Sequence, residues 1–193
     1  MGREFELKYA AKPQDLEVLK KRYPGLRPIS METTYYDNEA GDFSRLRWTF
    51  RRRMENNKSI CTLKTPTDTW GRAEFEAECD DILASVPLLR QAGAPAQLLL
   101  LAADGLIPSC GARFTRLAGL LEFPEFTAEL ALDEGLLLGG GRELPFTEVE
   151  LELKSGSEEA LTAFAESFAA ELALKPEFKS KVARARQLAA SRR

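Results

Sequence analysis

The chain has 193 residues and not one histidine. That absence excludes serine or cysteine nucleophiles activated by imidazole, histidine-ligated zinc, and an imidazole proton shuttle near neutral pH. Cysteine is scarce as well. Cys61, Cys79 and Cys110 are odd in number and form no Cys-x-x-Cys pair, which reads as reduced thiols in a cytoplasm. Long apolar runs are missing: the longest leucine run, Leu98 to Leu101, falls far short of the roughly 20 residues that span a bilayer. Met1-Gly2-Arg3-Glu4 has no signal-like apolar stretch, and Glu6 stands where a myristoylation signal takes Ser or Thr. A soluble cytoplasmic protein with no membrane partner is expected. There is no basic excess either. Lys+Arg number 27 against 30 Asp+Glu, a net charge of -3, which argues against a nucleic-acid partner. Carboxylates, Lys, Arg, hydroxyls and metal-bound water remain to carry any chemistry.

At roughly 150 residues per domain, the length suits one large domain, covering residues 1–193, or two small ones. Alternating segments predict strands over Arg3–Tyr9, Arg45–Met54, Ser59–Thr65, Arg72–Cys79, Arg113–Leu121, Glu125–Asp133 and Pro145–Lys154. Helical spacing predicts helices over Pro13–Arg22, in pieces over Ser85–Ala103, from a Ser157 N-cap to about Leu174, and over Lys179–Ala190. Asn56-Asn57 and Gly139-Gly140-Gly141 read as hairpin turns. The fold class is α+β, dominated by antiparallel strands with helices packed outside.

The polar faces of these strands are almost purely ionic. In Glu4-Phe5-Glu6-Leu7-Lys8, charge alternates strictly with apolar side chains. With Asn56-Asn57 as a two-residue turn, Glu55 opposes Lys58, Arg51 opposes Thr62, and Thr49 opposes Lys64. Directly opposite residues share a face, so Arg47, Arg51, Arg53, Thr62 and Lys64 form a basic plate backed by Trp48, Phe50, Cys61 and Leu63. Such a plate wants an anion, and arginine forks suit phosphate oxygens. Carboxylates at alternate positions want a cation; oxygen-only ligands suit Mg²⁺ or Mn²⁺. Closing the sheet into a barrel, polar face inward, makes a charged tunnel.

The ordered set Glu4-x-Glu6-x-Lys8, Arg51-x-Arg53, Thr62-Leu63-Lys64, Arg72-x-Glu74-x-Glu76, Arg116, Leu132-Asp133-x-Gly135, Glu148-x-Glu150-x-Glu152 and Ser180-Lys181 resembles the CYTH domain, or triphosphate tunnel metalloenzyme, superfamily. The resemblance implies an eight-stranded antiparallel β-barrel that binds triphosphates with Mg²⁺ or Mn²⁺. It implies metal binding by Glu4, Glu6, Asp133, Glu148, Glu150 and Glu152. Substrate binding falls to Lys8, Arg51, Arg53, Lys64, Arg72, Glu74, Arg116 and Lys181. The catalytic candidates are Lys8, Glu76 and Glu150, with one of the two glutamates deprotonating water. Many relatives carry a basic residue where this chain has Phe114, and alternation puts Arg113 on the opposite face.

The activity so implied is hydrolysis of inorganic triphosphate to pyrophosphate and phosphate, by a monomer or homodimer. A class IV-type adenylate cyclase, a thiamine or nucleoside triphosphatase, and a non-catalytic polyphosphate binder are the alternatives. Arg45, Arg47 and Arg52 also fit surface arginines. Glu78 fits the tunnel or its rim, Trp48 and Trp70 fit packing, and the basic face of the last helix reads mostly as solvated.

Overall fold

The computed structural model describes residues 5–67 and 71–191. Glu4 and Trp70 lie outside the described residues. Fifteen elements follow one another: β1 (Glu6–Ala10), α1 (Pro13–Arg22), β2 (Arg27–Asp37), α2 (Asp42–Arg45), β3 (Thr49–Glu55), β4 (Lys58–Pro66), β5 (Arg72–Glu78), α3 (Ser85–Gln91), α4 (Gln97–Ala102), β6 (Ile107–Glu122), β7 (Phe126–Gly139), β8 (Arg142–Gly156), α5 (Glu158–Leu172), β9 (Lys175–Pro176) and α6 (Lys181–Ala190). The strands form one antiparallel sheet in the order β5-β4-β3-β2-β6-β7-β8-β1-β9. It curls so that side chains from β1 and β8 share a cavity with those of β3, β4 and β5. The architecture is α+β with helices on the outer faces, as the sequence predicts. No described helix is long and apolar enough to cross a membrane.

The sheet is inverted relative to an ordinary half-buried one: its apolar side faces outward, toward helices. Leu130, Leu132, Val149 and Leu151 of β7 and β8 pack with Leu16 and Leu19 of α1 and with Leu161, Ala165 and Phe168 of α5. Phe50, Leu63 and Phe75 of β3 to β5 pack with Phe43 of α2, Val86 and Leu89 of α3, and Leu98 of α4. Helix α1 starts with Pro at its first turn, carries Asp15 there, and ends on Lys20, Lys21 and Arg22; each choice suits the helix dipole. In α5 the Ser157 hydroxyl accepts from the Ala160 N–H at 3.1 Å, as an N-cap should.

The Asn56-Asn57 hairpin has the expected register, with Glu55 opposite Lys58 and Arg51 opposite Thr62. Asn56 takes the positive φ of 53° that the turn demands. The glycine hairpin spends its freedom at Gly140 and Gly141, with φ of 59° and 72°. Two departures matter. Arg45 and Arg47 are not strand residues: Arg45 ends α2, and Arg47 sits before β3 with φ 59°. Strand β2 is additional to the predicted ones, its alternation of Met31, Thr33, Tyr35 and Asp37 being masked by neighbouring Ser, Thr and Pro residues.

A third cluster closes one end of the luminal face. Met31, Phe114, Leu137 and Phe146 pack there with Val182 and Ala185 of α6. Gly135 lies opposite Phe114 on one side and Phe146 on the other. The two rings meet across it, centroids 5.6 Å apart. A Cβ at Gly135 would run into the Arg113 carbonyl oxygen and the backbone of Phe114. Gly135→Ala is therefore expected to cost about 1–3 kcal/mol in urea unfolding. Unchanged stability would show that this row has slack.

Candidate active site

Strand alternation places Glu6 and Lys8 on the luminal face of β1, and Glu148, Glu150 and Glu152 on that of β8. Across the ladders Glu6 opposes Glu152, Lys8 opposes Glu150, Glu148 opposes Asp133, and Asp133 opposes Arg116. The first turn of α6, capped by the Ser180 hydroxyl on the Ala183 N–H at 3.2 Å, delivers Lys181 into this array. Its ammonium lies 2.8 Å from Asp133, 2.7 Å from Glu148 and 2.6 Å from Glu150. Arg116 forks onto Asp133 with two hydrogen bonds of 2.8 Å and reaches Glu150 as well. Arg184 donates to Glu148 at 2.9 Å.

Asp133 and Glu148 have no solvent exposure, so each of these charges depends on its partners. Burial by itself would raise the Glu150 carboxyl, but Lys181 and Arg116 outweigh it and hold Glu150 well below the ordinary carboxylate value. Burial would likewise lower the Lys181 ammonium, and Glu150, Asp133 and Glu148 together raise it instead. Phe114 is part of the same device. The Lys181 ammonium lies 5.3 Å from its ring centroid and 5.4 Å from that of Phe146, within cation–π range. Phe114 thus faces a cation supplied by α6. Arg113 points to the other face, where it pairs with Glu143 at 3.4 Å.

Opposite this acidic wall stands the basic one. Arg51, Arg53 and Lys64 share a cavity of 630 Å³ with Lys8, Arg116, Lys181, Glu6, Glu150 and Glu152. Glu74 lies 3.0 Å from Lys64 and 3.8 Å from Arg51, and Glu76 accepts from the Thr62 hydroxyl at 2.9 Å. Arg72 bonds the Arg47 carbonyl at 2.9 Å and the Thr49 hydroxyl at 3.0 Å. Compensation is incomplete on this side. Burial, then repulsion from Arg51, pulls the Arg53 guanidinium down to about 10, and the buried Arg51 Nε has no hydrogen-bond partner.

Thus Glu6, Lys8, Arg51, Arg53, Lys64, Arg72, Glu74, Glu76, Arg116, Glu150, Glu152 and Lys181 line one cavity. Asp133 and Glu148 lie beneath its surface, behind Lys181, and Glu4 is outside the described residues. Three participants escaped the sequence reading. Arg184 is turned inward, although the last helix reads as a solvated face; its position three residues after Lys181 puts both on one helix side. Lys154 continues the Glu148-Glu150-Glu152 alternation and pairs with Glu152 at 2.9 Å. Glu129 continues back from Asp133 and opposes Glu152. Glu78 is a rim residue paired with Lys58 at 3.0 Å, and Trp48 is core.

The acidic cluster can hold a metal ion. Asp133, Glu148 and Glu150 each offer a carboxylate oxygen, all within 4.8 Å of one another. Glu148 Oε1 is buried without a hydrogen-bond partner. Hard oxygen donors of this kind fit a hard divalent cation.

The CYTH domain family model matches residues 2–185. The chain belongs to the CYTH domain family. An inorganic triphosphatase of Haemophilus influenzae is 29% identical over 176 residues, which cover 86% of this chain and 49% of that protein. The chain therefore spans about half the length of this curated relative. Two solved structures share its fold. A Hippeastrum protein with a dominant triphosphatase activity superposes with a TM-score of 0.67 at 20% identity, covering 97% of this chain and 96% of the other. A Bacillus halodurans protein proposed as an adenylate cyclase gives 0.68 at 17% identity, covering 95% and 98%.

Removing the ammonium from this CYTH chain leaves three carboxylates to share two cations, Arg116 and Arg184. Lys181→Met is expected to lower unfolding free energy by about 3–5 kcal/mol, with Mn²⁺ recovering part of the loss; a stable, Mn²⁺-indifferent variant would contradict the network. Glu150, with a depressed carboxyl, contributes stability that is complete above its unfolded value of 4.5 and drains away toward about 2. Unfolding measured across that interval should fall less steeply in Glu150→Gln than in the parent. Parallel profiles would contradict the assignment.

Proposed function

We propose that this CYTH domain hydrolyses inorganic triphosphate to pyrophosphate and phosphate with Mg²⁺ or Mn²⁺. The observation that carries the reading is one cavity with an under-compensated basic wall facing a cluster of buried carboxylates. The activity of the Haemophilus influenzae relative supports it.

In this reading Lys8, Arg51, Arg53, Lys64, Arg72, Arg116 and Lys181 bind the phosphate oxygens, arginines by forks and lysines as point charges. An anion between them adds to the partial compensation that Glu74 gives Arg51 and Glu55 gives Arg53, at 3.8 and 3.5 Å. Glu74, ion-paired with both Arg51 and Lys64, keeps these side chains extended along the wall. Glu150, Asp133 and Glu148, with Glu6 and Glu152 on the same acidic side, would hold the divalent cation, and the family resemblance adds Glu4 to them. Bound there, that cation supplies Lewis-acid neutralisation of phosphate charge. Lys181 and a divalent ion answer the same carboxylates, so Lys181 is free to serve the substrate once they are neutralised otherwise.

Of the two glutamates proposed as base, Glu150 is the poorer. A carboxyl held far below its usual value keeps its charge and takes up a proton reluctantly. Glu76, fixed by Thr62, is the better candidate. Water attacks the terminal phosphorus, its proton passes to Glu76, and the bond to the bridging oxygen breaks to release pyrophosphate. The basic wall neutralises the charge that the leaving oxygen gains.

Purified protein with Mg²⁺ or Mn²⁺ should release phosphate from tripolyphosphate far faster than from ATP or thiamine triphosphate, and should make no cyclic AMP. Cyclic AMP from ATP would replace the hydrolase with the cyclase. Glu76→Gln should lower kcat by about 10²–10⁴ with tripolyphosphate binding retained; near-parental kcat would remove Glu76 from the reaction.

A further inference from the structure

A second cavity, of 240 Å³, opens beside the first. It shares Thr49, Arg72 and Ser180 with the main cavity and adds Ser44, Arg47 and Arg186. Three arginines and three hydroxyl-bearing residues are among those that line it, with no acidic residue among its described lining residues. This differs from the main cavity, where acidic side chains stand between the basic ones.

Arg186 sets the site apart. Its Nε and Nη2 are both buried, and neither has a hydrogen-bond partner. Arg184, two residues earlier in α6, is tied to Glu148 and Glu177; among the described residues Arg186 has no such carboxylate. A guanidinium charge shielded from water without a carboxylate beside it is costly, and an anion in the cavity that Arg186 lines offsets that charge. The other side of the cavity is preset. Arg47 holds a left-handed backbone, φ 59°, a conformation unfavourable for a side chain of this size. Its carbonyl is held in place by the Arg72 guanidinium at 2.9 Å.

We propose that Arg47, Arg72 and Arg186 form a second phosphoryl-anion subsite, continuous with the main cavity. It rests on the triphosphate reading of that cavity and extends it. The anion has two sources of the same chemistry: the fourth phosphate of a linear polyphosphate longer than tripolyphosphate, or free orthophosphate. Arg72 belongs to both cavities and so links them, while Arg186 and Arg47 belong to the second alone. Chain length is then read by residues that a triphosphate does not need.

Calorimetric titration without divalent metal, so that nothing turns over, tests this. The parent should bind tetrapolyphosphate about tenfold more tightly than tripolyphosphate, one good charge-assisted contact being worth about that much. Arg186→Gln should erase the difference while tripolyphosphate affinity stays within about twofold. Arg47→Asn should act in the same direction, and Asn tolerates the left-handed backbone, which guards against a folding defect. Orthophosphate binding to the tripolyphosphate-loaded parent, lost in Arg186→Gln, would equally support the subsite and identify free phosphate as its ligand. Tripolyphosphate binding with no gain from a fourth phosphate, no orthophosphate binding and no effect of either substitution would overturn the subsite alone. Failure of the parent to bind either chain would overturn the triphosphate reading beneath it.

Discussion

Charge enclosed by a protein wall has to be neutralised where it stands, and this constraint organises the whole chain. The sheet turns its apolar side outward, onto α1 and α5 at one flank and onto α2, α3 and α4 at the other. Its ionic side is left facing a lumen. Each buried carboxylate there has a cation within reach: Asp133 has Arg116, Glu148 has Arg184, and all of them have Lys181. Several kcal/mol are at stake for each ion left alone. The fold and the site are consequently one problem, because the same ion pairs that make the lumen tolerable also position its chemistry.

Helix α6 is where the two meet. It delivers Lys181 and Arg184 to the carboxylates and Val182 and Ala185 to the apolar end of the lumen. Phe114 and Phe146 occupy the boundary, giving the cations aromatic faces on one side while carboxylates hold them on the other. Gly135 between the two rings is the small residue that lets this layer form. The basic wall across the cavity has no comparable closure. There Arg51 and Arg53 have only the longer contacts to Glu74 and Glu55, and Arg51 Nε has no hydrogen-bond partner.

Much of this was legible in the sequence, and for a physical reason. Strand alternation has a period of two, so a charged residue at every second position announces an ionic face whatever encloses it. A two-residue turn at Asn56-Asn57 then fixes the whole β3–β4 register. Alternation and turn together group Arg51, Arg53 and Lys64 on one face. The strand β2 was less visible, since Pro28, Ser30 and Thr34 blur its alternation. Arg47 was misplaced because alternation cannot see a left-handed residue that breaks the strand. The last helix misled for another reason. Lys181 and Arg184 look like a solvated face until Asp133, Glu148 and Glu150, some 30 residues and more away in sequence, are brought beside them. Ion-pair partners across a fold have no local signature.

The central claim is that the acidic and basic walls are two halves of a single site for a divalent cation and a triphosphate. Crystals of the protein with Mn²⁺ and a non-hydrolysable tripolyphosphate analogue, with anomalous diffraction measured at the manganese edge, test it most directly. The account predicts a manganese peak among the carboxylates of β1, β7 and β8, and phosphate oxygens on Arg51, Arg53, Lys64 and Arg116. Manganese bound away from those carboxylates, or an analogue seated outside the lumen, would contradict it.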